Sequence, residues 1–233
     1  MAPPRLPAWK TDAMESDIGI LLLSLEIGIV ATLLSAPPAI LIAWGLARRK
    51  LPVPSFLRAV LSLPMVMPPV AVGLGLLWLF GATSPLAPLL EGLGIELVFT
   101  PAAATVAAGV VGFPLFARSA EQAFAEVDPT FEEIARTLGA SRIATFFRIS
   151  LPLARRGLLY GALLCFTRAL GEFGATAVVA GIIPGRTETL SLGIWSRIQE
   201  GDDAGAAALV ALSFGLALTS MIVAERWLGP DRR

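Results

Sequence analysis

Five segments of this chain are each long and apolar enough to cross a lipid bilayer, and that excludes most folds at once. A helix rises 1.5 Å per residue, so about 20 mostly apolar residues cover roughly 30 Å of hydrocarbon. The segments run 18–46, 59–80, 101–120, 157–181 and 204–224. Of the 233 residues, 55% are hydrophobic and only 15% charged, against about a quarter charged in a soluble domain. Backbone polar groups in lipid must be satisfied within the segment, which a helix does. The expected class is an all-α integral membrane protein with about five spans. A single membrane domain covers 18–228, after an external segment 1–17 and before a short cytoplasmic tail 229–233. The first 17 residues lack the basic start and short apolar core of a cleavable signal, so 18–46 reads as a retained span.

Prolines mark where these spans deviate from straight rods. Pro37-Pro38 removes two backbone donors inside the first segment. The expectation is a kinked or tilted span, with two short re-entrant pieces as the alternative. The second segment carries Pro64 and Pro68-Pro69, and the third carries Pro114. Membrane helices tolerate proline where neighbouring protein satisfies the freed carbonyls, so these spans should face other helices. The stretch 81–100 is broken by Gly and Pro, holds Glu91 and Glu96, and reads as an external loop with a short interfacial helix.

The net charge is zero, which gives no basic surface for nucleic acid, but the cations are unevenly spread. Most lie in 47–58, 118–156 and the tail after 224, from Arg48 to Arg233. The opposite side holds Arg5, Lys10, Arg186 and Arg197. Lys and Arg accumulate on cytoplasmic loops, so the N-terminus should lie outside and the C-terminus inside. Five crossings reconcile the two ends; four spans with an interfacial first segment is the alternative. There is no His, and the one cysteine, Cys165, sits in an apolar run. That excludes an internal disulfide and a Cys/His zinc cluster, and leaves Cys165 as a small packing residue. A phosphate-binding loop needs Gly-Lys-Ser/Thr, whereas Lys10 and Lys50 follow Trp9 and Arg49.

One cytoplasmic segment, 126–152, is more than a connector. Asp128 is a good N-cap with Pro129 at the first helical position. Glu132 and Glu133 follow in the first turn, where the helix dipole favours them. Phe131, Ile134, Ala135 and Leu138 share one face, Gly139 stops the helix, and Ser141 caps a second one bearing Ile143, Phe146 and Phe147. Two amphipathic helices therefore meet at a glycine bend. They either lie on the membrane surface or dock a soluble partner.

The spacing Glu133-Ile134-Ala135, Gly139, then Ile149-Ser150-Leu151-Pro152 resembles the EAA loop of bacterial ABC importer permeases. Ile134 stands where that family usually has Ala. The resemblance extends over nearly the whole chain and implies a type I importer permease fold. It also implies that Glu133, Ala135, Gly139, Ala140, Ile149, Leu151 and Pro152 form a coupling loop that enters a groove on an ATP-binding subunit. Two such subunits would pair with two permease chains, with an external binding protein delivering substrate. ATP would be bound by the partner, and this chain would need no cofactor or metal of its own.

Arg168 and Glu172 stand four apart in the fourth segment, so they share a helix face. They lie roughly 24 Å of helix beyond Pro152. Each charge would cost about 2.5–3.5 kcal/mol facing lipid at the bilayer centre, so both face protein or water. A local ion pair and a pathway-lining pair both satisfy that. Glu26 follows the same logic without a visible partner. Gly171-Glu172-Phe173-Gly174-Ala175-Thr176 resembles a segment of the molybdate and sulfate permeases, and Ile183 to Thr189 with 198–207 is most similar to the molybdate branch. That resemblance implies an oxyanion importer with Arg168, Gly171, Glu172, Gly174 and Thr176 near the pathway. Its cargo would be molybdate, with tungstate or sulfate/thiosulfate as alternatives; a membrane scaffold is the reading without transport.

Overall fold

The computed structural model describes residues 8–48 and 51–228. They form helices joined by short turns, with no strand among the described residues. The first helix, α1 (Ala8–Ala47), runs unbroken through Pro37 and Pro38. Two re-entrant pieces are thereby excluded. The reason is packing on both sides of the proline pair: Ile27 and Ala31 are buried in one cluster, Ala39 and Ala43 in the next.

The second segment behaves differently. It is two helices, α2 (Pro54–Val66) and α3 (Pro69–Phe80), bent by 108° relative to each other. Met67 precedes a proline and is extended (φ −69°, ψ 147°), as the clash with a proline ring requires. Despite the bend, the pair follows the whole height of the central helix α5 (Pro101–Glu126). Arg58 pairs with Glu121 near one end of α5 at 2.6 Å. Phe80 packs on the cluster containing Ala103 and Ala104 near the other. A short helix, α4 (Ala87–Gly92), lies within the expected loop 81–100.

Helix α5 is the hub. Thr100 caps it by accepting from the Ala103 N–H, and its small residues Ala104, Ala107, Ala108 and Gly112 are buried. A Cβ on Gly112 would lie 2.8 Å from Cys165 Sγ, so only glycine allows this crossing with α8 (Leu151–Leu170). Cys165 is fully buried there. Such small-residue contacts let membrane helices approach closely without a hydrophobic drive between them.

Between α5 and α8 come α6 (Pro129–Thr137), α7 (Arg142–Thr145) and a π-helical turn (Phe146–Ser150) that leads directly into α8. The expected second amphipathic helix is thus the foot of α8, not a separate rod. Beyond α8 the expectation of a span to residue 181 fails. Helix α8 ends at Leu170, and the chain turns at Gly171 before α9 (Gly174–Val179). Helices α10 (Leu190–Glu200) and α11 (Asp203–Leu228) complete the fold. Among the described residues four helices are long and apolar enough to cross a membrane, and five if the bent pair α2–α3 is counted as one span.

Candidate functional site

Every expected capping signal of the 126–152 loop is present. The Asp128 carboxylate accepts from the Thr130 N–H at 2.9 Å, and those bonds hold its pKa below the usual carboxylate range. Ser141 Oγ accepts from the Ala144 N–H at 3.2 Å. Gly139 has φ +90°. Around it the Ala140 N–H donates to the Ala135 carbonyl at 3.0 Å and the Gly139 N–H to the Arg136 carbonyl at 3.1 Å. These are the two bonds of a Schellman ending, with glycine at its left-handed position. Three of the sequence-predicted residues, Ala135, Gly139 and Ala140, are thus parts of one bend. Glu133 is exposed beside it, and a shallow concavity of about 580 Å³ is lined by Glu133, Arg136, Thr137, Ala140, Ser141 and Arg142.

The apolar face of this loop is uncovered. No residue of α6 is buried. Phe131, Ile134, Leu138, Ile143 and Phe147 are all more than half exposed, with Leu138 at 83%. The foot of the loop, by contrast, is anchored. The Phe146 ring is buried and lies edge-on to Trp44 at 5.2 Å, with Phe124 at 6.2 Å. Ile149 and Leu151 are half-buried and Pro152 is exposed in the first turn of α8.

Two residues that the sequence places only as a cytoplasmic cation and a first-turn acid hold the loop to the helices. Arg48, at the end of α1, donates from Nε to Glu132 Oε1 at 2.9 Å. Its other nitrogens donate to the Phe124 and Val127 carbonyls at 3.0 and 3.1 Å. Those carbonyls belong to the C-terminal end of α5, where helices lack internal donors. Glu132 also accepts from Ser150 Oγ at 2.7 Å. The available signal was a basic cluster where the first span ends, read only as orientation.

At the other end of the molecule, Arg168 and Glu172 form the expected ion pair at 2.9 Å. They do not share a helix, because α8 ends between them. Glu172 is almost wholly buried, and its second oxygen accepts from the Ala175 N–H at 2.8 Å, capping α9. Arg168 keeps a third of its side chain exposed. Gly174 and Thr176 are buried, while Gly171 is exposed in the turn. A Cβ on Gly174 would meet Pro69 Cβ at 2.9 Å, and one on Gly73 would meet the Ala175 carbonyl at 2.7 Å. The segment 171–176 is therefore wedged against the start of α3, which sequence could not place.

The adjoining turn 181–189 is held from within. Thr187 Oγ1 donates to the Gly181 carbonyl at 2.9 Å and accepts from the Ile183 N–H at 3.1 Å. Glu188 is buried, and that burial pushes its pKa up despite the nearby Arg197. The Leu190 N–H donates to Ser24 Oγ at 2.8 Å, tying this turn to α1. Arg197 pairs with Asp17 and Asp202, each at 2.9 Å. Glu26 lies on an exposed face of α1.

A multi-pass helical body thus carries a buried charged turn at one end and a projecting amphipathic loop at the other. The chain belongs to the family of binding-protein-dependent transport system inner membrane components, which matches residues 36–233. It is 42% identical over 209 residues to the molybdenum transport system permease protein ModB of Escherichia coli strain K12, covering 89% of this chain and 91% of that protein. It is also 39% identical over 184 residues to the chloroplastic sulfate permease 2 of Chlamydomonas reinhardtii, covering 79% of this chain and 50% of that one. Among solved structures it is similar to a chain of the MetNI methionine ABC transporter in an inward-facing form. There the TM-score is 0.67 at 18% identity, covering 96% of this chain and 98% of that chain. That likeness carries the fold alone, the type I importer permease fold.

Proposed function

We propose that this chain is the membrane-spanning subunit of an ATP-driven importer that carries molybdate across the plasma membrane. The observation that carries the reading is the uncovered apolar face of α6 and α7, held in a fixed bend by Gly139. An apolar face this exposed on a polar loop marks a protein-docking surface. Its occupant is an ATP-binding subunit, and Glu133, Ala135, Gly139, Ala140, Ile149, Leu151 and Pro152 form the coupling element. This chain hydrolyses nothing itself and binds no cofactor; ATP belongs to the partner.

Two copies of the chain enclose the pathway, each with one ATP-binding subunit, and an external binding protein delivers the anion. Glu26 supports the pairing, because a charge on the exposed face of a span costs about 2.5–3.5 kcal/mol in lipid and calls for protein or water there. ATP binding draws the two partner subunits together, the loops follow, and the permease halves tilt to open outward. Arg168, Gly171, Glu172, Gly174 and Thr176 border the pathway. The N-terminus lies outside, because Arg48, Arg58, Arg118 and the loop arginines share one end of the bundle.

Molybdate is favoured by the likeness to a molybdenum permease over almost the whole length of both chains. The likeness to a sulfate permease supports sulfate as the second reading. The test is uptake of labelled molybdate, tungstate and sulfate into proteoliposomes holding the complete transporter and its binding protein. Molybdate uptake that requires ATP and resists excess sulfate supports the proposal. Uptake of sulfate without molybdate moves the assignment to the second reading, and ATP-independent uptake overturns both.

A further inference from the structure

The proposed coupling loop is continuous with α5 and α8 and packs through Phe146 on Trp44 and Phe124, and the structure adds a polar attachment. Arg48 and Glu132 are 84 residues apart in sequence and meet at 2.9 Å, with side chains 8% and 13% exposed. Arg48 reaches three acceptors at once: Glu132 and the Phe124 and Val127 carbonyls. Glu132 in turn accepts from Ser150, which is fully buried at the last position of the π-helical turn. The ends of α1 and α5, the first turn of α6 and the foot of α8 therefore meet at one polar knot.

Apart from Glu132 and Ala135, the residues of α6 are exposed. Displacing this helix would therefore load the polar knot as well as the covalent ends of the loop. The π turn beside it closes with a bond from the Leu151 N–H to the Phe146 carbonyl, a pattern found mostly as single turns within helices and frequently at functional sites. We infer that Arg48 and Glu132 are positioning residues of transport. They transmit displacement of α6 to α1, so that α1 follows the loop together with α5 and α8, which are continuous with it. This rests on the reading of 126–152 as the coupling element. Arginine suits the post because its planar fork serves several acceptors at fixed angles, which the point charge of lysine does not.

The test uses the complete transporter in proteoliposomes with its binding protein loaded with molybdate, and with sulfate in a parallel arm. Glu132→Gln keeps size and an acceptor for Ser150 but removes the charge; Glu132→Ala removes both; Arg48→Lys keeps charge and loses the fork. The readouts are the amount of assembled complex, basal and binding-protein-stimulated ATP hydrolysis, and anion transported per ATP hydrolysed. The expected result is normal assembly and basal hydrolysis, with transport per ATP lowered about tenfold in Glu132→Ala. That lies within the range that substitutions along a coupling path produce. Arg48→Lys should fall between that variant and the parent. A merely structural role would lower the amount of complex and leave transport per ATP unchanged, which overturns the inference. So does parental coupling in all three variants. Leu138→Asp on the exposed face separates the two readings. If it abolishes partner binding while Glu132→Ala transports normally, the knot fails alone; if it too has no effect, the coupling loop itself is refuted.

Discussion

Replacing Gly139 tests the loop bend with a cost that can be worked out from its surroundings. Its φ of +90° is open to glycine and strained for residues with a Cβ. Among the described residues, no atom beyond its two chain neighbours lies within 4 Å of where that Cβ would stand. The penalty is therefore purely one of backbone conformation, roughly 1–2 kcal/mol for a residue forced into a left-handed conformation. It falls on the two bonds from Gly139 and Ala140 that close α6, and leaves the packing of the spans untouched. At 1.4 kcal/mol per factor of ten, the equilibrium constant favouring the native bend drops about 5- to 30-fold. On the proposed docking only the bent form fits the partner groove, so affinity for the ATP-binding subunit should drop by up to the same factor. The series should be graded. Gly139→Asn is mild, since asparagine tolerates the left-handed region; Gly139→Ala is intermediate; Gly139→Val, β-branched, is worst. Copurification at rising partner concentration measures the affinity, and stimulated ATP hydrolysis and uptake measure its consequence. All three variants should insert at parental levels. Parental affinity and uptake in Gly139→Val would refute the idea that this bend must be preformed.

Glu172→Gln should transport better than Glu172→Ala, because the amide oxygen still accepts from the Ala175 N–H while alanine leaves α9 uncapped. Exchanging the charges of Arg168 and Glu172 should not restore uptake, since an arginine at 172 cannot accept that bond; full recovery in the double exchange would disprove the capping role. With Cys165 fully buried, introduced cysteines report topology cleanly. Positions 92 and 185 should label from outside with an impermeant thiol reagent and position 52 should not; the opposite pattern inverts the orientation. Burial raises the pKa of Glu188, so the folded state favours its protonated form. That contribution is present in full below the unfolded glutamate value of about 4.3 and lost as pH rises through the raised folded value. Glu188→Gln should therefore gain thermal stability over the parent at pH 7 and little at pH 4. An equal shift at both pH values would show that the carboxylate is not the cause.

The spans and the loop were legible because their causes are local. Apolar length predicts a crossing, and Asp128-Pro129, Ser141 and Gly139 cap and stop helices by contacts within a few residues, as their hydrogen bonds bear out. The Arg48–Glu132 pair has no local cause, since nothing in residues 84 apart announces that the chain will bring them together. Glu172 misled for a related reason. Spacing of four predicts a shared helix face, and the side chains do meet, but Gly171 lets the backbone leave the helix while the pair persists. Side-chain proximity survived where the helix did not, because Glu172 found a second role in starting α9.

The two proline pairs make the same point in reverse. Pro37-Pro38 and Pro68-Pro69 are chemically alike, each removing two donors within an apolar segment. The first leaves α1 continuous and the second ends one helix and starts another at 108°. What differs is the hold on the flanks. Helix α1 has buried residues on both sides of its prolines, so bending it would pull Ala31 or Ala39 out of a packed cluster. Helix α2 has no buried residue at all, and α3 is drawn toward α9 by the close approach of Gly73 to Ala175. With no buried residue on α2 to oppose it, the extended backbone that a proline imposes on Met67 sets the direction of the chain. Proline thus offers a bend at each site, and tertiary contacts decide whether it is taken.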